Sequence, residues 1–179
     1  RLMEFLIRQT VLYTVPLLIV ALAGVFAERS GVVNLALEGI MIFGAFIGVL
    51  FINVSQSYGW FQKENAQLLL ILTMAVSALL GAIFSLLLSF AAVNLKANQT
   101  ISGTSLNLLA PALVLFLISI ITNQNVLSMV EGDAASWFML KKSTFGFSPD
   151  DDLGFIRETF LIQNYLTTYI CIALYIIMS

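Results

Sequence analysis

The sequence predicts an all-α, polytopic integral membrane protein, a helical bundle of about five apolar segments. Three observations carry that reading. Of 179 residues, 60% are hydrophobic and 10% charged, where a soluble domain has about 25% charged residues. The apolar residues fall into long runs, close to the roughly 20 that a helix needs to cross hydrocarbon. None of the runs alternates, so the period-two pattern of a transmembrane barrel is missing.

The runs cover residues 11–27, 32–54, Ala66–Val93, 101–121 and 160–178. All but the second are free of charge. The third has 28 residues, roughly 42 Å as straight helix, and so must tilt or project beyond the bilayer. Arg1 at one end, and Ser179 closing an apolar run at the other, read as cuts. The chain is therefore expected to be one membrane domain over 1–179, part of a longer protein, without a cleavable leader.

Two connections stand out. Residues 53–65 place Tyr58, Trp60 and Phe61 beside Lys63 and Glu64, an aromatic-belt pattern for a membrane surface. Residues 122–159 hold nine of the 18 charges, with Trp137, Phe138, Phe145 and Phe147 among them. That segment is expected outside the bilayer, as a solvated linker or as a small cap. Counting Lys and Arg in short loops leaves a margin of one charge, too small to set orientation.

Net charge is −2, without a basic face for nucleic acid. Histidine is absent and Cys171 is the sole cysteine, which excludes a disulfide framework, a His/Cys metal cluster and a His-based catalytic triad. No GxxxxGK[ST] phosphate loop occurs. Neither catalysis, a metal nor a cofactor is expected of this chain, and any energy source belongs to another subunit.

The chemistry-bearing residues lie in two places. Glu28 and Arg29 follow an apolar run, and only Ser30 and Gly31 separate them from the next, a four-residue link. The chain there forms a tight hairpin, or a broken or re-entrant helix near Gly31. Non-helical backbone at membrane depth survives only against protein or a water-filled cavity. With a helix starting near Val32, Asn34 and Glu38 share a face four residues apart, and Glu38 lies roughly 10 Å along it. A carboxylate there costs about 2.5–3.5 kcal/mol on insertion scales, so it lines a solute pathway or pairs with a cation as structural glue. Gly44 and Gly48 form a small-xxx-small pair suited to helix packing.

The second place opens the fourth run, with Asn98, Thr100, Ser102, Thr104, Ser105 and Asn107. Thr100, Thr104, Asn107 and Pro111 share one helical face. This stripe suits a pathway for a hydroxyl-rich solute, and equally suits hydrogen bonding between helices. The substrate-pathway candidates are thus Asn34, Glu38, Thr100, Thr104 and Asn107.

The stretch GVFAERSGVVNLALEGIMIFGAFIG, together with LKANQTISGTSLNLLAPALVLFL, resembles permease subunits of bacterial ABC importers. The similarity is to the nucleoside and simple-sugar branch of the branched-chain amino acid permease-like family, guanosine-type permeases especially, and spans most of 10–121. The resemblance implies a multi-pass subunit of the bacterial cell membrane that forms a pathway with a second permease. It implies a cytoplasmic ABC ATPase and an extracellular substrate-binding lipoprotein as partners. It also puts the Lys96 turn inside the cell and 122–159 outside. Ribose or another simple sugar is the alternative cargo. From other classes, an ion-coupled secondary carrier and a non-transporting scaffold are the alternatives. A single carboxylate in the apolar runs argues against the carrier, and two polar faces inside helices argue against the scaffold.

Overall fold

In a computed structural model, residues 2–59, 65–122, 127, 138 and 165–178 are described. Five helices form among them: α1 Leu2–Arg29, α2 Leu37–Ser57, α3 Ala66–Val93, α4 Gln99–Thr122 and α5 Leu166–Met178. No strand occurs among the described residues. The first four helices are long and apolar enough to cross a membrane. Residues 60–64 and nearly all of 122–164 lie outside the described residues, among them Trp60, Phe61, Trp137, Phe145, Phe147, Asp151 and the start of the expected fifth run.

The chain divides into two compact units, residues 1–22 with 133–179, and residues 23–132. In the first unit, the described residues are the N-terminal part of α1, Phe138, Tyr165 and α5. Val15 and Thr168 are its buried helical positions, and Pro16 lies within α1.

The second unit carries the site. Here α3 runs antiparallel to α2: Ser77 meets Gly44, Thr73 meets Gly48, and Gly81 faces Ile40. By contrast, α4 runs parallel to α2, since Gly39 lies against Leu106 and Ala110 while Phe46 packs with Val114 and Ile118. Two clusters fill the space between the three helices. Ala36, Phe84, Leu88, Leu106 and Ala110 form one. Phe46, Val114 and Ile118 form the other, joined by Leu127. Phe43 packs against both and stacks on Phe84, ring centroids 4.5 Å apart. Large apolar side chains on the outer faces, such as Leu79, Leu108 and Phe116, are exposed, as a lipid-facing surface requires.

Several hydroxyls inside these helices are satisfied locally, whereas the buried Ser55 hydroxyl of α2 has no partner among the described residues. Thr73 donates to the Leu69 carbonyl at 2.8 Å, Ser105 to Ile101 at 2.8 Å and Thr122 to Ile118 at 2.8 Å. Bonding to the preceding turn is how a hydroxyl sits in hydrocarbon without a stranded donor. Ser77 instead crosses to α2, donating to the Gly44 carbonyl at 2.5 Å.

The helix boundaries correct the sequence reading at two points. Helix α1 begins at Leu2, nine residues before the apolar run, because Glu4 and Arg8 are compatible with helix although they interrupt hydropathy. Helix α2 begins at Leu37 rather than near Val32. The connection is therefore the seven residues 30–36, not a four-residue link. Asn34 precedes the helix, so Asn34 and Glu38 do not share a helical face, and Glu38 lies in the first turn of α2.

The broken segment between α1 and α2 and its cradle on α4

Helix α1 stops by a defined geometry. The Val32 N–H bonds the Ala27 carbonyl at 3.2 Å and the Gly31 N–H bonds Glu28 at 3.0 Å. This pairing is the Schellman motif, which needs a left-handed residue just past the helix end. Gly31 supplies it with φ of 85°, free of the Cβ penalty that other residues meet there. The Ser30 hydroxyl donates to the Ala27 carbonyl at 2.7 Å.

From Gly31 the backbone lies along the N-terminal turns of α4 instead of restarting a helix. Each exposed peptide group of that stretch must find a partner, and α4 side chains supply several. The Val33 N–H donates to Gln99 Oε1 at 2.9 Å. Asn107 Nδ2 donates to the Leu35 carbonyl at 2.6 Å, and Asn107 Oδ1 accepts the Gly39 N–H at 2.7 Å. Within the segment, Asn34 Oδ1 accepts the Ala36 N–H at 3.0 Å, and the first helical bond of α2 runs from Ile40 N–H to the Ala36 carbonyl at 2.9 Å.

Two glycines make the approach close enough. A Cβ on Gly39 would lie 3.0 Å from Asn107 Oδ1, 3.0 Å from the Leu106 carbonyl oxygen and 3.2 Å from the Ala110 Cβ. On Gly103 it would lie 2.9 Å from the Leu35 Cβ. Ala36, packed between these contacts, is fully buried. Helix α4 is itself capped by Asn98, whose Oδ1 accepts the Thr100 N–H at 2.9 Å and the Ile101 N–H at 3.4 Å.

The cradle also gives a depth. Helix α4 has 24 residues, roughly 36 Å of helix. Asn107 is the ninth of them, so the start of α2 sits about 12 Å along α4. Residues 32–36 thus occupy the level of the first two turns of a membrane-spanning helix. Irregular backbone is tolerable at that level because its polar groups are met by protein.

The pathway candidates are distributed around this break. Asn34 is half-buried and spends its side-chain oxygen on Ala36. Asn107 is half-buried and engaged through both ends of its amide with the break. Pro111, one turn on, has no N–H to offer the Asn107 backbone carbonyl. Glu38 is exposed and makes no hydrogen bond or ion pair with any described residue. Thr100 and Thr104 are also exposed, and the Thr104 hydroxyl donates to the carbonyls of Thr100 and Ile101 at 2.9 and 3.0 Å. A hydroxyl has one donor and two lone pairs, so the Thr104 oxygen can still accept. Gly44 and Gly48 lie on another face of α2, against α3. A Cβ would meet the Ser77 Oγ at 3.4 Å from Gly44, and the Thr73 Cγ2 at 3.6 Å from Gly48. No group of three or more His, Cys, Asp or Glu that could hold a metal occurs among the described residues.

Gln99, Gly39 and Gly103 belong to this cradle and were not singled out from the sequence. A glycine within a helix costs about 1 kcal/mol relative to alanine, and that cost at positions 39 and 103 was a signal of close backbone approach.

Comparison with known proteins bears on this arrangement. The guanosine ABC transporter permease protein NupQ of Bacillus subtilis is 33% identical over 174 residues, 97% of this chain and 50% of that protein. The nucleoside ABC transporter permease protein NupC of Lactococcus lactis is 40% identical over 129 residues, 72% of this chain and 39% of that protein. A putative glucose ABC transporter permease protein, TsgC13 of Haloferax volcanii, is 33% identical over 111 residues, 62% of this chain and 30% of that protein. The chain spans about half the length of the first of these relatives and less of the others. No solved structure matches. With four helices able to cross a membrane and a family match over residues 6–178, this is a multi-pass membrane protein. The chain belongs to the family described as the permease component of the branched-chain amino acid transport system.

Proposed function

We propose that this chain forms part of the permease subunit of an ATP-driven ABC importer for nucleosides, guanosine-type. The observation that carries the proposal is the 33% identity to a guanosine permease along 97% of the chain. The partners in this reading are a second permease subunit, a cytoplasmic ABC ATPase, an extracellular substrate-binding lipoprotein and the surrounding lipid. ATP hydrolysis lies on the separate ATPase, because this sequence has no phosphate loop.

The geometry supports a place for the solute path beside the break between α1 and α2. Glu38 is exposed at a level about 12 Å along α4, where a carboxylate facing acyl chains would be costly. It therefore faces water or a partner helix in the assembled transporter. Glu38, with the accepting oxygens of Thr100 and Thr104, offers acceptors to the hydroxyl and amino donors of a nucleoside. Asn34 and Asn107 support the path by holding the break. A simple sugar is the second reading, favoured by the similarity to the glucose permease and served by the same acceptors.

Uptake of labelled guanosine by the complete transporter, in cells deprived of other nucleoside carriers, tests the proposal. Saturable uptake that requires the ATPase, with competition by unlabelled nucleosides and not by ribose, is expected. Competition by ribose or glucose alone would assign a sugar. Uptake that persists without the ATPase and collapses with the ion gradient would make the protein a carrier.

A further inference from the structure

We infer that Asn107 is a positioning residue rather than a solute contact, and that with Gln99 it latches the broken segment onto α4 and so fixes where Glu38 stands. The inference rests on the permease reading only for the consequence it assigns to Glu38.

The bonding pattern is specific. Asn107 reaches the Leu35 carbonyl with its amide nitrogen and the Gly39 N–H with its oxygen, at 2.6 and 2.7 Å. Those two backbone groups bracket the first residues of α2. One side chain on a neighbouring helix therefore sets both a carbonyl at the end of the break and an N–H of the first helical turn. Glu38 is adjacent to Gly39, so the place of its backbone, and the direction in which its side chain leaves it, follow from this clamp. Gln99 pins the other end of the segment through Val33, eight residues and about 12 Å from Asn107 along α4.

The contacts between the pins are too close for a different register. The virtual Cβ distances at Gly39 and Gly103 leave no room for either backbone to shift toward the other, and Ala36 is sealed at 0% exposure. An unsatisfied peptide group is costly within a bilayer, so the Leu35 carbonyl and the Gly39 N–H hold Asn107 in place. A side chain already committed to two such groups has little left for a transient ligand. Only one donor hydrogen of Asn107 and a lone pair of its oxygen remain.

The test uses the complete transporter in its membrane, with Cys171→Ser and Ala36→Cys as the reporter background. Cysteine at a sealed position is slow to react with a small water-soluble thiol reagent until the segment lifts. Adding Asn107→Ala is expected to raise the modification rate roughly ten- to a hundredfold, the change in an opening equilibrium that loss of its two hydrogen bonds produces. Gln99→Ala, which removes only the Val33 contact, should raise it less.

Transport supplies the second readout. Asn107→Ala should lower the maximal rate for guanosine and for other nucleosides alike. Its loss should combine with that of Glu38→Gln to less than their product, as for residues acting through one another. An unchanged reactivity of the reporter thiol in both the Asn107→Ala and Gln99→Ala variants would overturn the latch. A rise in KM confined to particular nucleosides, with independent losses at 107 and 38, would make Asn107 a solute contact and also overturn it. Absence of nucleoside uptake in the parent transporter would count against the permease reading alone, because the reactivity measurement still decides the latch.

Discussion

Replacing Gly103 by alanine should destabilise the protein, whereas the same change at Gly48 should not. The two glycines are both in apolar helices, so intrinsic helix propensity favours alanine by about 1 kcal/mol at each. The surroundings differ. At Gly48 the nearest atom to a new Cβ is Thr73 Cγ2 at 3.6 Å, an ordinary contact. At Gly103 the Leu35 Cβ lies at 2.9 Å and the Leu35 N and Cα at 3.3 Å each. Carbon atoms pack best at about 3.5–4.0 Å, so the segment must retreat by at least about 0.6 Å. Leu35 Cβ cannot rotate away, since it is fixed to its backbone. Retreat is opposed from both sides of Gly103 by the Gln99–Val33 and Asn107–Leu35 bonds. Overpacking of this kind costs about 1–3 kcal/mol, and weakening one of the two bonds adds about 1 kcal/mol. After the propensity gain, Gly103→Ala should cost about 1–3 kcal/mol and Gly48→Ala should be neutral or stabilising by up to about 1 kcal/mol. Thermal unfolding of the purified transporter in detergent, with both variants at equal loading, reads the difference. Gly103→Ala is expected to have the lower Tm of the two. Equal stability of the two variants would refute the account of the close approach at Leu35.

Removing the cap of α4 with Asn98→Ala should cost about 0.5–2 kcal/mol, measured by the same unfolding assay, and Asn98→Asp should largely restore it. Glu38→Ala should reduce nucleoside uptake more than Met41→Ala, an exposed neighbour one turn along α2; equal and negligible effects would return Glu38 to a purely structural role. Asp151→Cys, in a Cys171→Ser background, should react with a membrane-impermeant maleimide in intact cells. Reaction only after lysis would place residues 122–159 inside and reverse the orientation implied by the family resemblance.

Hydropathy and composition were enough to read the fold class, because a bilayer imposes a length and a polarity that leave few alternatives. The bounds of α3 were legible to the residue, and α4 to within two, since each run is uniformly apolar and ends in polar residues. The Glu4 and Arg8 turns of α1 were missed because helix formation tolerates charge and a hydropathy run does not. The start of α2 was missed for a different reason. Val32, Val33, Leu35 and Ala36 are as apolar as any helical run, and only Asn34 interrupts them. Whether those residues continue a helix depends on peptide groups that bond either to one another or to Gln99 and Asn107 on a helix more than sixty residues away. The polar stripe of α4 could therefore be seen in the sequence, but not which of its members faced the break and which were exposed. Apolarity and periodicity are properties of a stretch of chain, and they settled which segments enter the membrane. The partner of a hydrogen bond is a property of two distant stretches, so the break at 30–36, the clamp by Asn107 and the close contacts at Gly39 and Gly103 were decided only when α2 and α4 came together.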